Sequence, residues 1–252
     1  MEIGQEDREL FEKSCRYILE QERMRLGIGT LGEKTVHAVL KNYLVPRQEF
    51  HEQKCEGFVA DILLEGEIME IQTAGFNKLR RKLEAFLPEY EVTVVYPIPE
   101  TKWLLWIDQE TGELSGKRKS PKKGSYYQVF SELYRIKMFL KDPNLHFRLI
   151  LMDMEEYRLL NGWSSDRKKG STRFDRIPVT INSECMINSA VDYRILIPET
   201  LPQSFTSGEF GKAAGISRQK AQTALNILNH MEAVFKVGKQ GNTILYERAG
   251  SN

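Results

Sequence analysis

Residues 58–73 read FVADILLEGEIMEIQT, with the dipeptide Glu65-Gly66 between two stretches rich in apolar residues. The flanking stretches, Phe58–Leu64 and Glu67–Thr73, predict two short β-strands. A two-residue turn that ends in glycine favours a tight antiparallel connection between such strands. The sequence therefore predicts a β-hairpin at this place, and the elements around it follow from that starting point.

Two acids on this hairpin are predicted to lie opposite each other. With Glu65 and Gly66 as the turn, counting back along both strands pairs Asp61 with Glu70. Opposed residues point to the same side of a sheet, where like charges are destabilising unless something neutralises them. A divalent cation would do so, and oxygen-only ligands suit Mg²⁺ or Mn²⁺ rather than zinc. Gln72 lies on the same face, where its amide can hold a water or a phosphate oxygen.

The same acids have a simpler interpretation, in which Asp61 and Glu70 lie on a solvated sheet face and bind no ion. A three-residue loop would also shift the register and set Asp61 opposite Ile71. The alternation of apolar residues favours a functional site, because a face that is buried on both sides would shield the acids in part from water. The apolar residues in question are Ile62, Leu64, Met69 and Ile71.

The segments around the hairpin predict a mixed α/β fold. Apolar periodicity and proline positions define each of them. Before the hairpin a helix is predicted at Leu31–Tyr43, and after it a helix rich in Lys and Arg at Asn77–Leu87 and a buried strand at Val92–Tyr96, closed by Pro97. Further predicted elements are a strand at Trp103–Asp108, a helix over 126–140, a strand at His146–Met152 and a helix at Glu155–Leu160.

The composition excludes several classes of protein. The chain of 252 residues has 36 Lys and Arg against 35 Asp and Glu, and 41% of its residues are hydrophobic, as in ordinary globular proteins. Its apolar stretches are far shorter than the ~18 residues of a membrane span, and its N-terminus lacks the basic start of a secretory signal. Three widely spaced cysteines predict neither a disulfide framework nor a zinc site. We expect a cytoplasmic protein without a membrane partner.

The C-terminal residues predict a small separate module. Residues 205–217 have the pattern of a short helix, a glycine turn and a serine N-cap for a second helix, Arg218–Met231. Two strands of a loose hairpin should follow, at 234–237 and 243–247. The second helix is predicted to bury Ala221, Leu225 and Leu228 and to expose Arg218, Gln219, Gln222 and Asn226.

Two loops are rich in cations although the net charge of the chain is only +1. The first, at 117–123, has five cations within seven residues, among them Lys122 and Lys123, and the second is at 166–173. Such loops can contact the phosphates of nucleic acid, and each cation adds to a salt-dependent affinity. Taken singly, however, they are usually solvated loops.

The hairpin and its flanking elements resemble the PD-(D/E)xK core of restriction-endonuclease-like nucleases. The resemblance covers about residues 30–97 and rests on Ala60-Asp61, the sequence Glu70-Ile71-Gln72, and the basic helix and buried strand that follow. It implies a restriction-endonuclease-like mixed sheet flanked by helices, with Asp61 and Glu70 as ligands of Mg²⁺ or Mn²⁺ and with hydrolysis of a phosphodiester as the reaction. It also implies that Glu33, on the preceding helix, completes the metal site.

The chain departs from the family pattern at two positions. Ala60 replaces the usual proline, and Gln72 replaces the usual lysine, whose ammonium group could orient water or stabilise the transition state. Lys78 or Lys82 on the following helix could replace that lysine. Glu33 has a structural alternative as well, because Thr30 and Glu33 have the spacing of a capping box.

The C-terminal pattern resembles a winged-helix DNA-binding domain without its usual first helix. Pro198 and Pro202 make the preceding segment extended, so another element has to cover the core of the module. The resemblance implies that the helix from Arg218 enters the major groove, that Gln219 and Gln222 lie near base edges with Arg218, and that Lys239 contacts phosphate. A small helical protein-interaction domain is the alternative.

Together these patterns predict an α/β domain over residues 1–190 and a winged helix-turn-helix domain over 199–252. The predicted function is that of a metal-dependent endonuclease acting on DNA, with Asp61, Glu70 and Glu33 at the metal and Gln72 positioning water or phosphate. A homodimer would provide two active sites, one for each strand of a duplex. The alternative function is that of a non-catalytic DNA-binding or regulatory protein that retains a nuclease-like scaffold.

Overall fold

The structure is a computed structural model that describes residues 3–26, 35–162 and 170–250, with side chains in the first range described up to Gln21. Two compact units are present, and each is assembled from three separate parts of the chain. The first unit comprises Met1–Gln53, Pro97–Ser125 and Ile150–Glu184. The second unit comprises Lys54–Tyr96, Tyr126–Leu149 and Cys185–Asn252.

The helices of the described ranges are short after the first one. The α-helices are α1 (Gln5–Leu26), α2 (Thr35–Leu44), α3 (Arg80–Phe86), α4 (Val129–Leu133), α5 (Ser207–Ala213) and α6 (Arg218–His230). 3₁₀ turns lie at Gln48–Phe50, Phe76–Leu79, Tyr126–Gln128, Tyr134–Phe139 and Ala190–Leu196. The helix predicted over 126–140 is thus a short α-helix between two 3₁₀ segments, with non-helical backbone angles at Ile136. Of the described helices, none is long and apolar enough to cross a membrane.

The strands form two sheets in an α/β arrangement. They are β1 (His51–Cys55), β2 (Phe58–Leu64), β3 (Glu67–Ile71), β4 (Glu91–Asp108), β5 (Arg118–Lys119), β6 (Leu145–Leu160), β7 (Thr172–Ile187), β8 (Ser204–Thr206), β9 (Val234–Gln240) and β10 (Thr243–Arg248). The large sheet has the order β1-β2-β3-β4-β6-β7 with β5 beside β4, and the small sheet has the order β8-β10-β9. The large sheet is mixed, because β2 and β3 are antiparallel whereas β3 and β4 are parallel.

The β2–β3 hairpin has the register predicted from its turn. Ile62 pairs with Met69, Leu63 with Ile68 and Leu64 with Glu67. The positive backbone φ of 77° at Gly66 explains why a glycine closes this turn. The alternative register, with a three-residue loop, is therefore wrong.

The fourth strand is longer than the sequence predicts. Val92–Tyr96 and Trp103–Asp108 were expected as two strands separated at Pro97, but a single strand, β4, runs from Glu91 to Asp108. Proline interrupts a strand when its missing N–H removes a ladder hydrogen bond. The pairing of β4 with β3 ends at Val95, so Pro97 lies beyond the point where that bond would be needed.

The helix predicted at Glu155–Leu160 is wrong, because β6 continues through these residues. Glutamate favours helices as an intrinsic propensity, but tertiary interactions override it here. Glu156 is buried and forms ion pairs with Lys102, Arg158 and Arg176, which belong to three strands of the large sheet. An extended backbone places Glu156 and Arg158 on the same face, which helical spacing would not do.

The C-terminal residues form two helices followed by a β-hairpin. Thr206 and Glu209 form a capping box at the start of α5, and the hydroxyl of Ser217 accepts a hydrogen bond from the Lys220 amide at the start of α6. The predicted core residues Ala221, Leu225 and Leu228 are all fully buried. The predicted exposure of Arg218, Gln219, Gln222 and Asn226 is confirmed.

A helix from the middle of the chain packs on this C-terminal module. α4 contacts α6, and the ring of Tyr127, one turn before α4, packs edge-on against Phe210 of α5 at a centroid distance of 6.2 Å. Phe130 and Leu133 of α4 are buried. This segment therefore covers part of the core of the C-terminal helices, and it does so within the second unit.

Candidate active site on the β2–β3 hairpin

Asp61 of β2 and Glu70 of β3 face each other across the hairpin. The backbone N–H of Asp61 donates to Glu70 Oε1 at 3.4 Å, and the N–H of Ile71 donates to Asp61 Oδ2 at 2.8 Å. Each carboxylate thus accepts a hydrogen bond from the neighbouring strand. Continuing the register by one residue beyond Ile62 and Met69 places the side chains of both acids on the same side of the pair of strands.

Lys82 of α3 completes this group from the other side. Its Nζ donates to Glu70 Oε1 at 2.9 Å, to Glu70 Oε2 at 2.7 Å and to the Val59 carbonyl at 2.6 Å. The bond to Val59 fixes the ammonium against β2, so Lys82 connects both strands of the hairpin. The sequence offers Lys78 and Lys82 as replacements for the lysine of the family pattern. Lys82 contacts Glu70, whereas the side chain of Lys78 is exposed.

Glu70 has a strongly perturbed acidity. The residue is 3% exposed, and burial together with the negative charge of Asp61 raises the pKa of Glu70 to about 7, although hydrogen bonding to Lys82 acts in the opposite direction. A carboxyl group whose pKa lies near neutrality is unusual, and perturbed groups of this kind concentrate at functional sites. Close to neutral pH, Glu70 therefore exchanges between its protonated and its ionised form.

The remaining predicted site residues are arranged differently. The amide nitrogen of Gln72 donates to the carbonyl of Ala74, and the backbone N–H of Gln72 donates to the Val95 carbonyl at 2.9 Å. The amide of Gln72 is thus bound to its own loop. Glu33 lies outside the described residues. Within the described ranges, no group of three or more His, Cys, Asp or Glu side chains could hold a metal ion.

A buried glutamate that the sequence analysis did not identify supports the loop after β3. Glu132 of α4 accepts a hydrogen bond from the Phe76 amide at 2.9 Å. Phe76 directly follows Gly75, which has a positive φ of 72°, and begins the 3₁₀ turn before α3. Only its burial distinguishes Glu132 from the other acids of a helical segment, so sequence periodicity offers little signal for its role.

The exposed face of α6 and the following hairpin carries the predicted nucleic-acid contacts. Arg218, Gln219 and Gln222 are exposed on α6, and Lys239 is exposed on β9. Arg218 donates to the Thr243 hydroxyl at 3.3 Å, which joins the start of α6 to the hairpin. α6 itself contains no acidic residue.

The first cationic loop is exposed and includes a short strand. Arg118 and Lys119 form β5, which pairs with β4, and Lys123 forms an ion pair with Glu100 at 3.0 Å. Lys122 is exposed. Of the second loop, residues 166–169 lie outside the described residues.

The described geometry is that of a mixed α/β protein in which two carboxylates of a hairpin, Asp61 and the buried Glu70, lie beside Lys82 of α3, with two short helices and a β-hairpin at the C-terminus. By sequence, residues 34–188 match the family described as "Domain of unknown function (DUF8091)", and because the match spans more than half of the chain, the protein belongs to that family. The match includes the hairpin site and ends before the C-terminal module.

One relative extends beyond the family match. An uncharacterized protein of Treponema pallidum (strain Nichols) is 26% identical over 228 residues, which cover 88% of this chain and 87% of the relative. No solved structure matches the chain.

Proposed function

We propose that this protein is a metal-dependent phosphodiester hydrolase acting on DNA, of the PD-(D/E)xK type. The observation that carries the proposal is the convergence of Asp61, Glu70 and Lys82, two acids of the hairpin and one ammonium group from α3. The order hairpin, basic helix and parallel buried strand is that of the restriction-endonuclease-like core which the sequence resembles.

The donor set fits Mg²⁺ or Mn²⁺. Asp61 and Glu70 would hold the ion through carboxylate oxygens, and Mg²⁺ is usually bound by one or two carboxylates with water and substrate phosphate supplying the rest. Glu33 is the proposed third ligand. When bound, such an ion polarises the phosphate and lowers the pKa of the attacking water.

Lys82 is proposed to supply the positive charge that the lysine of the family pattern would provide and that Gln72 lacks. Its Nζ is held by the Val59 carbonyl, so the ammonium group stays beside the acids instead of moving freely at the end of a long side chain. An ammonium group fixed at this place stabilises negative charge on a phosphate during hydrolysis. Gln72 is proposed to position water or phosphate once its amide is released from Ala74.

The C-terminal module is proposed to be a winged helix that binds DNA. Its two helices, the β9–β10 hairpin and the pairing of β8 with β10 follow the order of that fold, with α4 in the place of the first helix. Arg218, Gln219 and Gln222 lie on the exposed face of α6, where a recognition helix reads base edges. Lys239 and Lys122 are proposed to contact phosphates, as is Lys123 when it is released from Glu100.

The experiment is a cleavage assay with Mg²⁺ or Mn²⁺ on duplex, branched and single-stranded DNA. We expect the wild type to cleave at least one of these substrates and both Asp61→Asn and Glu70→Gln to be inactive. Glu67→Gln is the matched control, since Glu67 lies on the same strand but faces the other side of the sheet, and it should cleave normally. Full cleavage by Asp61→Asn, or the absence of metal-dependent cleavage by the wild type on every substrate, would contradict the proposal.

A second candidate is a DNA-binding protein with a nuclease-like scaffold that does not turn over. It is favoured by the ion pair of Glu70 and Lys82, which balances the buried acid without any metal, and by Gln72 at the lysine position. Calorimetry separates the two functions. Tight, salt-sensitive DNA binding without Mn²⁺ binding would support the scaffold, whereas Mn²⁺ binding that Asp61→Asn abolishes would support the hydrolase.

A further inference from the structure

The first unit contains a group of three cations around one buried acid, which we name the Glu156 cluster. Its members are Lys102 of β4, Glu156 and Arg158 of β6, and Arg176 of β7, so three strands contribute. Glu156 Oε2 accepts from Lys102 Nζ at 3.3 Å and from Arg176 Nε at 2.9 Å, while Oε1 accepts from Arg158 at 2.8 Å. The cluster is separate from the hairpin acids, which belong to the second unit.

The charges of the cluster do not cancel. Burial alone would raise the pKa of Glu156, but Arg176 and Lys102 lower it to about 2, so the acid is ionised at neutral pH. One negative charge then faces three positive charges. The Glu156 side chain is only 4% exposed, whereas those of Lys102, Arg158 and Arg176 are 24, 23 and 25% exposed. The acid is therefore inside, and the surplus positive charge is at the surface.

The cations are held in place before any ligand arrives. Besides its contact with Glu156, Arg158 donates to the hydroxyl of Ser171 at 3.1 Å and to the carbonyl of Ser171 at 2.9 Å. Within the described ranges, Arg176 contacts Glu156 through Nε, so the terminal nitrogens of its guanidinium remain as donors for an anion. Fixed arginines of this kind match the geometry of a phosphate group.

The neighbouring part of the same unit is also cationic. Next to Lys102 on β4, the ring of Trp103 has Lys117 Nζ at 5.0 Å and Lys119 Nζ at 5.7 Å from its centroid. Lys117 also forms an ion pair with Glu155, whose Oε1 accepts from Lys117 Nζ at 2.6 Å. Trp103 and Glu155 directly neighbour Lys102 and Glu156 in their strands, so this group lies on the opposite face of the sheet and is separate from the Glu156 cluster.

We propose that the Glu156 cluster is a binding site for the phosphate backbone of nucleic acid. The three cations of the cluster contact phosphate oxygens and do not recognise the base sequence. The buried carboxylate of Glu156 holds them in position through its hydrogen bonds. The inference rests on the proposed function only in taking DNA as the ligand, because it requires no hydrolysis. A purely structural ion-pair network and a site for an acidic protein are the alternatives that the experiment tests.

The experiment measures binding of a fluorescent duplex DNA by the full chain in EDTA, between about 50 and about 200 mM salt. Arg176→Gln and Lys102→Gln should each lower the slope of log affinity against log salt by about 1, and the double variant by about 2. Arg176→Lys keeps the charge and should restore the wild-type slope. The control is Lys13→Gln, which removes one exposed charge from α1 of the same unit and should leave the slope unchanged.

The thermal midpoint of each variant is recorded in parallel, so that a folding defect is recognised. If Arg176→Gln and Lys102→Gln lower the thermal midpoint but have the same salt dependence of DNA affinity as Lys13→Gln, the cluster is only structural and the proposal is overturned. Wild-type protein without salt-dependent DNA binding would also overturn it and would leave an acidic protein as the candidate ligand. The absence of metal-dependent cleavage by the wild type in the separate cleavage assay would count against the hydrolase but not against this site, because DNA binding is measured here without metal.

Discussion

The ammonium group of Lys82 donates hydrogen bonds to both carboxylate oxygens of Glu70, at 2.9 and 2.7 Å. Lys82 lies on α3, whereas Glu70 lies on β3, so the contact joins the helix to the hairpin. Glu70 is buried and has a second acid, Asp61, as its neighbour. The lysine is therefore the group that makes two adjacent acids tolerable at this position.

Removal of this ammonium group should destabilise the fold and abolish cleavage. Lys82→Met keeps most of the apolar stem but leaves Glu70 without its charged partner, which costs roughly 1–3 kcal/mol for a buried charged hydrogen-bonding group. Urea unfolding measures the loss. Lys78→Met, an exposed cation of the same segment, is the control and should lie within about 0.5 kcal/mol of the wild type. Equal stability of the two variants would argue against a structural role of the Lys82 contact.

Metal affinity should increase with pH across neutrality. A metal ligand has to be ionised, and the pKa of Glu70 is raised to about 7, so below that pH a proton competes with the ion. Mn²⁺ titration by calorimetry at pH 6, 7 and 8 should show the affinity increasing over this window. An affinity that is independent of pH would exclude Glu70 as a titrating ligand.

The Glu156 cluster should give the fold a stability that disappears in acid. The folded-state pKa of about 2 lies below the ordinary value of 4.5, so the ion pairs stabilise the fold above pH 4.5 and are lost as the pH falls toward 2. The difference in unfolding free energy between wild type and Glu156→Gln should approach roughly 3 kcal/mol at pH 7 and shrink at pH 3. Glu113→Gln, an exposed acid, is the control and should show no such trend.

The helix α4 should be needed for the stability of the C-terminal module. Leu133 is fully buried on α4, and Leu133→Ala should cost roughly 2–5 kcal/mol through the lost burial and the cavity that remains. Because α4 contacts α6, hydrogen exchange of the α6 amides should accelerate in this variant. The control is Met138→Ala, whose side chain is 63% exposed. Unchanged exchange in α6 would mean that the module does not depend on α4.

Much of the local structure could be predicted because it depends on neighbouring residues. The hairpin register follows from Glu65-Gly66, and the start of α6 follows from Ser217. Sequence reasoning failed at Pro97 and Glu156, where distant strands decide the outcome. Pro97 is tolerated because β3 has already ended, and Glu156 stays extended because cations from other strands surround it.

The sequence by itself determined the apolar periodicity, the turn chemistry and the helix caps, and with them the pairing of Asp61 and Glu70, because these properties act over a few residues. Only the tertiary structure decided that Lys82 rather than Lys78 contacts Glu70, that α4 covers α6, and that three cations surround Glu156. Except for Glu156 and Arg158, which are two residues apart on β6, these contacts join residues whose separation along the chain carries no periodic signal. They form because burial of an acid or an apolar surface is favourable only when a suitable partner lies beside it in the fold.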